Sequence, residues 1–207
     1  MSGSAELSIS HPLRCRCGTL QGHVAQPQRL IGRGVCYCID CQAYAHYLGR
    51  ADTVLDVQGG TDVIAIHPQH VALNQGLDAL ACMSLSPRGL LRWYASCCRT
   101  PIGNTSRSAK MAYVGLVHTC LEGAGVPIER SFGPVTMRVN TASATSPVAE
   151  RSRGMLGGMV RFAGTMLGAR LGGSYKRSPF FDAASGMPVL APHVLTKAER
   201  EQLSAKR

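Results

Sequence analysis

Seven of the nine cysteines fall into three tight groups: Cys15 and Cys17 in RCRCG, Cys36, Cys38 and Cys41 in CYCIDC, and Cys97 and Cys98 in ASCCRTP. A thiolate is a soft, tightly binding zinc ligand, and thiols spaced this closely on short loops read as metal-binding knuckles. The set divides unevenly. A structural zinc takes four protein ligands in a closed tetrahedron, whereas a catalytic zinc keeps three and leaves a position for water or substrate. The pairs 15/17 and 97/98 can meet at one closed site that ties together the two ends of a domain of roughly ninety residues. The CxCxxC at 36–41 supplies three sulfurs only, so a zinc held there keeps a vacancy where chemistry can take place.

Other uses of the thiols have to be weighed. A disulfide framework needs an oxidising compartment, and the opening MSGSAELSISHPL carries no basic region followed by an apolar stretch. A reducing cytoplasm is the expectation. An iron–sulfur cluster wants four cysteines at characteristic spacings, and the triad has no fourth member nearby. Cys82 and Cys120 stand alone in apolar surroundings and read as small buried hydrophobes. His46, about one helical turn beyond Cys41, is either a proton shuttle, a fourth ligand or a packing histidine; His23, His67 and His70 fit strands or turns and receive no role.

The elements that must position these thiols look mainly β. TLQGHVA, TVLDV, DVIAIH, HVALNQ and ALACMSL are β-branched or alternating runs separated by turn signals such as Gly59-Gly60 and His67-Pro68, an antiparallel pattern. LRWYA leads as a strand into Cys97 and Cys98. IDCQAYAHYLG has no Pro or Gly before Gly49 and predicts a short helix whose N-terminal amides point at the thiolates. MAYVGLVHTCL reads as a strand or a buried helix, and FGPVTMRVNTASATS as polar and turn-rich. Over 148–171, Leu156, Met159, Val160, Phe162, Met166, Leu167 and Leu171 recur at three- and four-residue intervals opposite Arg161 and Arg170, which predicts an amphipathic helix. It packs on the β-domain or a second subunit, lies on a membrane surface, or forms a lid. Thr196 and Glu199 make a capping box for a last helix over 196–205. The expected organisation is a zinc-binding β-domain over 1–120 and an extension over 121–207.

The 207 residues are 45% hydrophobic and 16% charged, a globular composition, with one tryptophan, Trp93. No transmembrane segment is expected, because no apolar run approaches eighteen residues. The formal charge of +10 falls to about +7 once zinc-bound thiolates are counted. The arginines are scattered and aromatics few, so nucleic acid is not an expected partner, while small anionic substrates suit the charge.

CxCG near the start, CxCxxC some twenty residues later, and a cysteine knuckle followed by Thr-Pro resemble the glutathione-dependent formaldehyde-activating enzyme family, over about residues 13–105. The resemblance implies an Mss4-like antiparallel β-fold with zinc knuckles, here with a C-terminal helical extension marking a separate branch. It implies a structural zinc on Cys15 and Cys17 plus the late knuckle, and a catalytic zinc on Cys36, Cys38 and Cys41. It also implies a carbon–sulfur lyase reaction on a thiol–aldehyde adduct such as S-hydroxymethylglutathione. Some Mss4-like proteins instead bind a partner without catalysis. The late knuckle departs from the family pattern: Ala95 stands where a cysteine is usual, leaving Cys97 as the substitute, and Arg99 stands where the family has Gly. Gln42 follows Cys41 where an Arg is frequent.

Overall fold

The computed structural model describes residues 10–122, 125–149 and 155–204. The chain is mixed α/β and largely β-sheet. In order it forms β1 (Ser10–Arg14), β2 (Gln21–Ala25), β3 (Gly32–Cys36), α1 (Ile39–Leu48), α2 (Ala51–Val54), β4 (Thr61–Ile66), β5 (Val71–Gln75), β6 (Leu80–Ser84), β7 (Leu91–Ala95), β8 (Thr100–Thr105) and β9 (Val114–Val117). Then come α3 (Thr119–Glu122), α4 (Ile128–Phe132), β10 (Met137–Val139), α5 (Met155–Leu171), β11 (His193–Val194) and α6 (Lys197–Ser204).

A small antiparallel sheet runs β1-β2-β5, and a large one runs β10-β3-β4-β9-β8-β7-β6-β11. Within the large sheet every pairing is antiparallel except at its two borders. There β10 joins β3, and β11 joins β6, in parallel. An open border strand presents unpaired amides and carbonyls, and both are covered by short strands from the last third of the chain.

One core serves residues from both ends of the chain. Trp93 is fully buried, donates its indole N–H to Thr105 Oγ1 at 3.0 Å, and packs its ring 5.1 Å from that of Phe180. Ile128, Phe132 and Phe180 share the same apolar cluster as Leu13, Val24 and Ile102. Cys82 and Cys120 are buried thiols within it.

The TVLDV run does not form the expected strand. Gly49, at φ +62, ends α1, and the chain restarts at once as α2, which buries Val54 against Ala45 and Val117. Asp56 then accepts from the backbone N–H groups of Gln58 and Gly60, closing a turn before β4. Burial of one side chain and an Asp-stabilised turn outweigh β-branched propensity here. MAYVGLVHTCL divides into β9 followed by α3.

The long helix is Met155–Leu171; residues 148 and 149 are not helical, and 150–154 lie outside the described residues. Its apolar residues are not all covered, contrary to a simple amphipathic pattern. Met166 and Ala169 are buried beside Ala112 and Ile31, whereas Leu156, Val160, Leu167 and Leu171 are exposed. Arg161 Nε donates to the Ile31 carbonyl at 3.0 Å and fixes the helix across the start of β3. In the capping box of α6, Thr196 N–H donates to Glu199 and Glu199 N–H donates to Thr196 Oγ1. Among the described residues no helix is long and apolar enough to cross a membrane.

Two buried histidines hold the late segments down. His11 lies 2.8 Å from Ser131 Oγ and 3.1 Å from the Leu121 carbonyl. His67 accepts from Gln69 N–H, and its other nitrogen lies 3.1 Å from Ser174 Oγ. Burial, then the positive His70 and Arg177, pushes His67 down to about 4; burial also lowers His11. A depressed histidine stabilises the fold while neutral, so the contribution is whole above about pH 6.5 and is lost as pH falls from there toward about 4. The expected outcome is that His67→Gln unfolds with a shallower dependence of its urea midpoint on pH between 7.5 and 5 than the wild type. Parallel curves for the two proteins would contradict this role.

Candidate metal centres and the adjoining cleft

The expected four-sulfur set converges. Cys15, Cys17, Cys97 and Cys98 place their Sγ atoms within 4.8 Å of one another. Cys15 follows β1, and its sulfur accepts from the Leu20 N–H at 3.3 Å, a turn in which backbone amides face the thiol. The opposing pair sits in the β7–β8 turn. Cys15–Cys17, Cys15–Cys97 and Cys17–Cys97 sulfurs are 3.5, 3.8 and 3.3 Å apart, and Cys97–Cys98 are 3.9 Å apart. A tetrahedron with zinc–sulfur bonds of 2.3 Å has edges of about 3.8 Å, so the donor set fits zinc. Adjacent cysteines thus both reach the group, with Ala95 buried at the end of β7 and remote from any donor role.

Arg99 is what lets the knuckle turn. It adopts φ +56, the left-handed region that favours glycine. Its guanidinium compensates by donating to the Tyr47 carbonyl at 3.2 Å and lying 5.8 Å from the Tyr47 ring centre.

The three-sulfur set converges as well, with Cys36, Cys38 and Cys41 Sγ all within 4.8 Å. Cys36 ends β3, Cys38 caps α1, and Cys41 lies in the helix's first turn. The Cys41 N–H donates to Cys38 Sγ at 3.4 Å, so the thiol performs the task a serine or aspartate usually performs at a helix start. Asn140 Nδ2 donates to Cys36 Sγ at 3.4 Å. Donation from Cys38 and then Cys41 holds the Cys36 thiol well below its ordinary range, and the same contacts push Cys41 well up. Among the described residues no further His, Cys, Asp or Glu joins the group, so neither Asp40 nor His46 closes it. Asp40 instead pairs with Arg200 at 3.7 Å. His23 and His70 also lie outside both groups.

Gln42, fully buried, donates through Nε2 to the carbonyls of Tyr37 and Ser143 at 2.9 and 2.8 Å. It locks the CxCxxC loop to the segment 140–143 that carries Asn140. Arg138 on β10 donates to the Tyr37 hydroxyl, which donates to Asp56.

Beside the trio opens a cleft of about 750 Å³ between β3, β4 and α5. Arg92, buried on β7, lines it; the guanidinium donates to Asn104 Oδ1 at 3.1 Å, lies 5.1 Å from the Tyr44 ring centre, and acts electrostatically to lower Cys41. Tyr113 also lines it, with burial first and the nearby sulfurs second pushing its hydroxyl up to about 12. It stays protonated at neutral pH. A Cβ at Gly115 would come 2.5 Å from that hydroxyl, so the absence of a side chain there makes room for it.

Asn140, Arg92 and Tyr113 escaped sequence reasoning. An arginine within the apolar strand LRWYA was the one visible signal; the approach of Asn140 to a thiol 104 positions earlier left none.

The chain belongs to a family of unknown function, DUF6151. The family's sequence profile matches residues 7–191. No curated protein matches the chain. Among solved structures, the crystal structure of a Rhodobacter sphaeroides protein, a structural-genomics target, is similar at 18% identity and a TM-score of 0.40, over 60% of this chain and 96% of that one.

Two outcomes test the four-sulfur knot. Because it joins residues 82 positions apart, Cys98→Ser is expected to lower the thermal midpoint more than Cys38→Ser does; equal midpoints would contradict a stabilising knot. At the left-handed position, Arg99→Ala is expected to be less stable than Arg99→Gly by about 1 kcal/mol in urea unfolding, and the reverse order would refute the strain.

Proposed function

We propose that the chain is a zinc-dependent carbon–sulfur lyase-like protein acting on a thiol–aldehyde adduct such as S-hydroxymethylglutathione. On this reading residues 1–120 are a zinc-knuckle β-domain of the Mss4-like type and 121–207 are an extension built onto it. Cys15, Cys17, Cys97 and Cys98 hold a structural zinc, and Cys36, Cys38 and Cys41 hold a catalytic one. The observation that carries the reading is that three thiols converge with no fourth donor among the described residues, beside a cleft large enough for a small molecule.

Cleavage of such an adduct breaks the carbon–sulfur bond; the sulfur leaves with the bonding pair as a thiolate, and the hydroxyl passes its proton to solvent water as the carbonyl forms. A zinc held by the three thiolates would supply Lewis-acid polarisation of the adduct. This chain's own residues supply the rest. Asn140 and the Cys41 N–H donate to the sulfurs and temper their charge. Arg92 places a fixed positive charge in the cleft wall near Cys41, which would favour a thiolate developing there. Tyr113, holding its proton, offers a hydrogen bond rather than a base.

A non-catalytic partner-interaction module is the second reading, favoured by the exposed Leu156, Val160, Leu167 and Leu171 on α5. The experiment is zinc analysis with turnover of S-hydroxymethylglutathione and of other thiol–formaldehyde adducts. Cys38→Ser is expected to release about one equivalent of zinc and abolish turnover. Full metal retention, or wild-type protein inert toward every adduct, would reject the lyase reading.

A further inference from the structure

The cleft beside the three thiols carries information about what enters it. Its walls are Val63 on β4, Met137 and Val139 on β10, and Phe162 on α5, with Leu90 and Met159 at the lip, 43% and 64% exposed. Beside the cysteines, the charged side chains lining it among the described residues are Arg92 and Asp40. Arg92 donates to Asn104 and lies over the Tyr44 ring, and Asp40 pairs with Arg200.

The wall is built tightly around Met137. A Cβ on Gly34 would approach Met137 Cγ to 2.4 Å, and one on Gly158 would approach its Cε to 3.1 Å. Two glycines on facing elements thus let an unbranched, polarizable side chain lie between strand and helix, an adaptable apolar surface. Phe162 holds that side of the cleft through an edge contact with Tyr113, ring centres 6.0 Å apart.

We infer that the cleft prefers an apolar alkyl or aryl thiol, or its aldehyde adduct, over glutathione and its adduct. The inference rests on the proposed open site at Cys36, Cys38 and Cys41 and names the molecule it selects. Glutathione would bring two carboxylates and an ammonium against a wall whose one lining cation among the described residues is Arg92, and charge left unpaired against apolar surface is unfavourable. An apolar thiol presents one soft donor to the sulfur end of the cleft and leaves its body against Val63, Met137 and Phe162. The apolar lip formed by Leu90 and Met159 suits the same body.

The test uses the full chain loaded with cobalt(II), whose visible absorption reports the ligands around the metal, titrated separately with benzyl mercaptan, glutathione and 2-mercaptoethanol. Benzyl mercaptan is expected to change the spectrum at about tenfold lower concentration than either other thiol. Phe162→Ala, and independently the lip substitution Met159→Glu, are expected to raise the benzyl mercaptan midpoint about tenfold while leaving that of 2-mercaptoethanol in place. The inference is overturned if glutathione matches or exceeds benzyl mercaptan, or if both variants shift the two small thiols equally. If 2-mercaptoethanol and the other thiols all leave the wild-type spectrum unchanged, the open site itself is refuted, and the selectivity with it.

Discussion

Seven sulfurs brought to two points is a costly arrangement unless a cation sits between them, because thiolates repel and buried thiols resist ionising. Strand ends and turns gather them: β1 and the β7–β8 hairpin deliver one set, and the junction of β3 with α1 delivers the other. In the first set the Cys15–Cys97 and Cys97–Cys98 separations match the edge of a zinc tetrahedron, and Cys15–Cys17 and Cys17–Cys97 are shorter, at 3.5 and 3.3 Å. The second lacks a corner among the described residues. Both groups are positioned to hold a metal ion, and their donor chemistry suits zinc.

The late part of the chain shapes the incomplete site. β10 pairs with β3, the strand that ends in Cys36, and the turn after it brings Asn140 to that sulfur. Gln42 reaches from α1 to the carbonyl of Ser143, so the cysteine loop and its wall are fastened together. α5 lies across the start of β3 through Arg161 and lends Phe162 to the cleft. Removal of these elements would leave the trio on an open sheet border facing water. Their presence gives it a largely apolar approach whose one lining cation among the described residues is Arg92.

The local rules read well where local chemistry decides. Cysteine spacing identified both sulfur groups, the Gly-free run after Cys38 became α1, and Thr196 with Glu199 capped the last helix. Failures came where tertiary contacts decide. TVLDV turned helical because Val54 finds a buried place and Asp56 closes a turn. The turn-rich MRV became an edge strand because β3 offered unpaired groups. Periodicity located α5 but could not tell which apolar residues would be covered, since its two faces are both apolar. Asn140 was invisible because only the fold makes it a neighbour of Cys36. The mainly β character was legible; the parallel strands at both borders of the large sheet were not.

Zinc-edge X-ray absorption of the protein purified without added metal tests the central claim most directly. Two zinc ions per chain are expected, with a sulfur shell near 2.3 Å averaging about 3.5 sulfurs per ion and a light-atom scatterer at the incomplete one. One ion surrounded by four sulfurs, or no sulfur shell at all, would contradict the account.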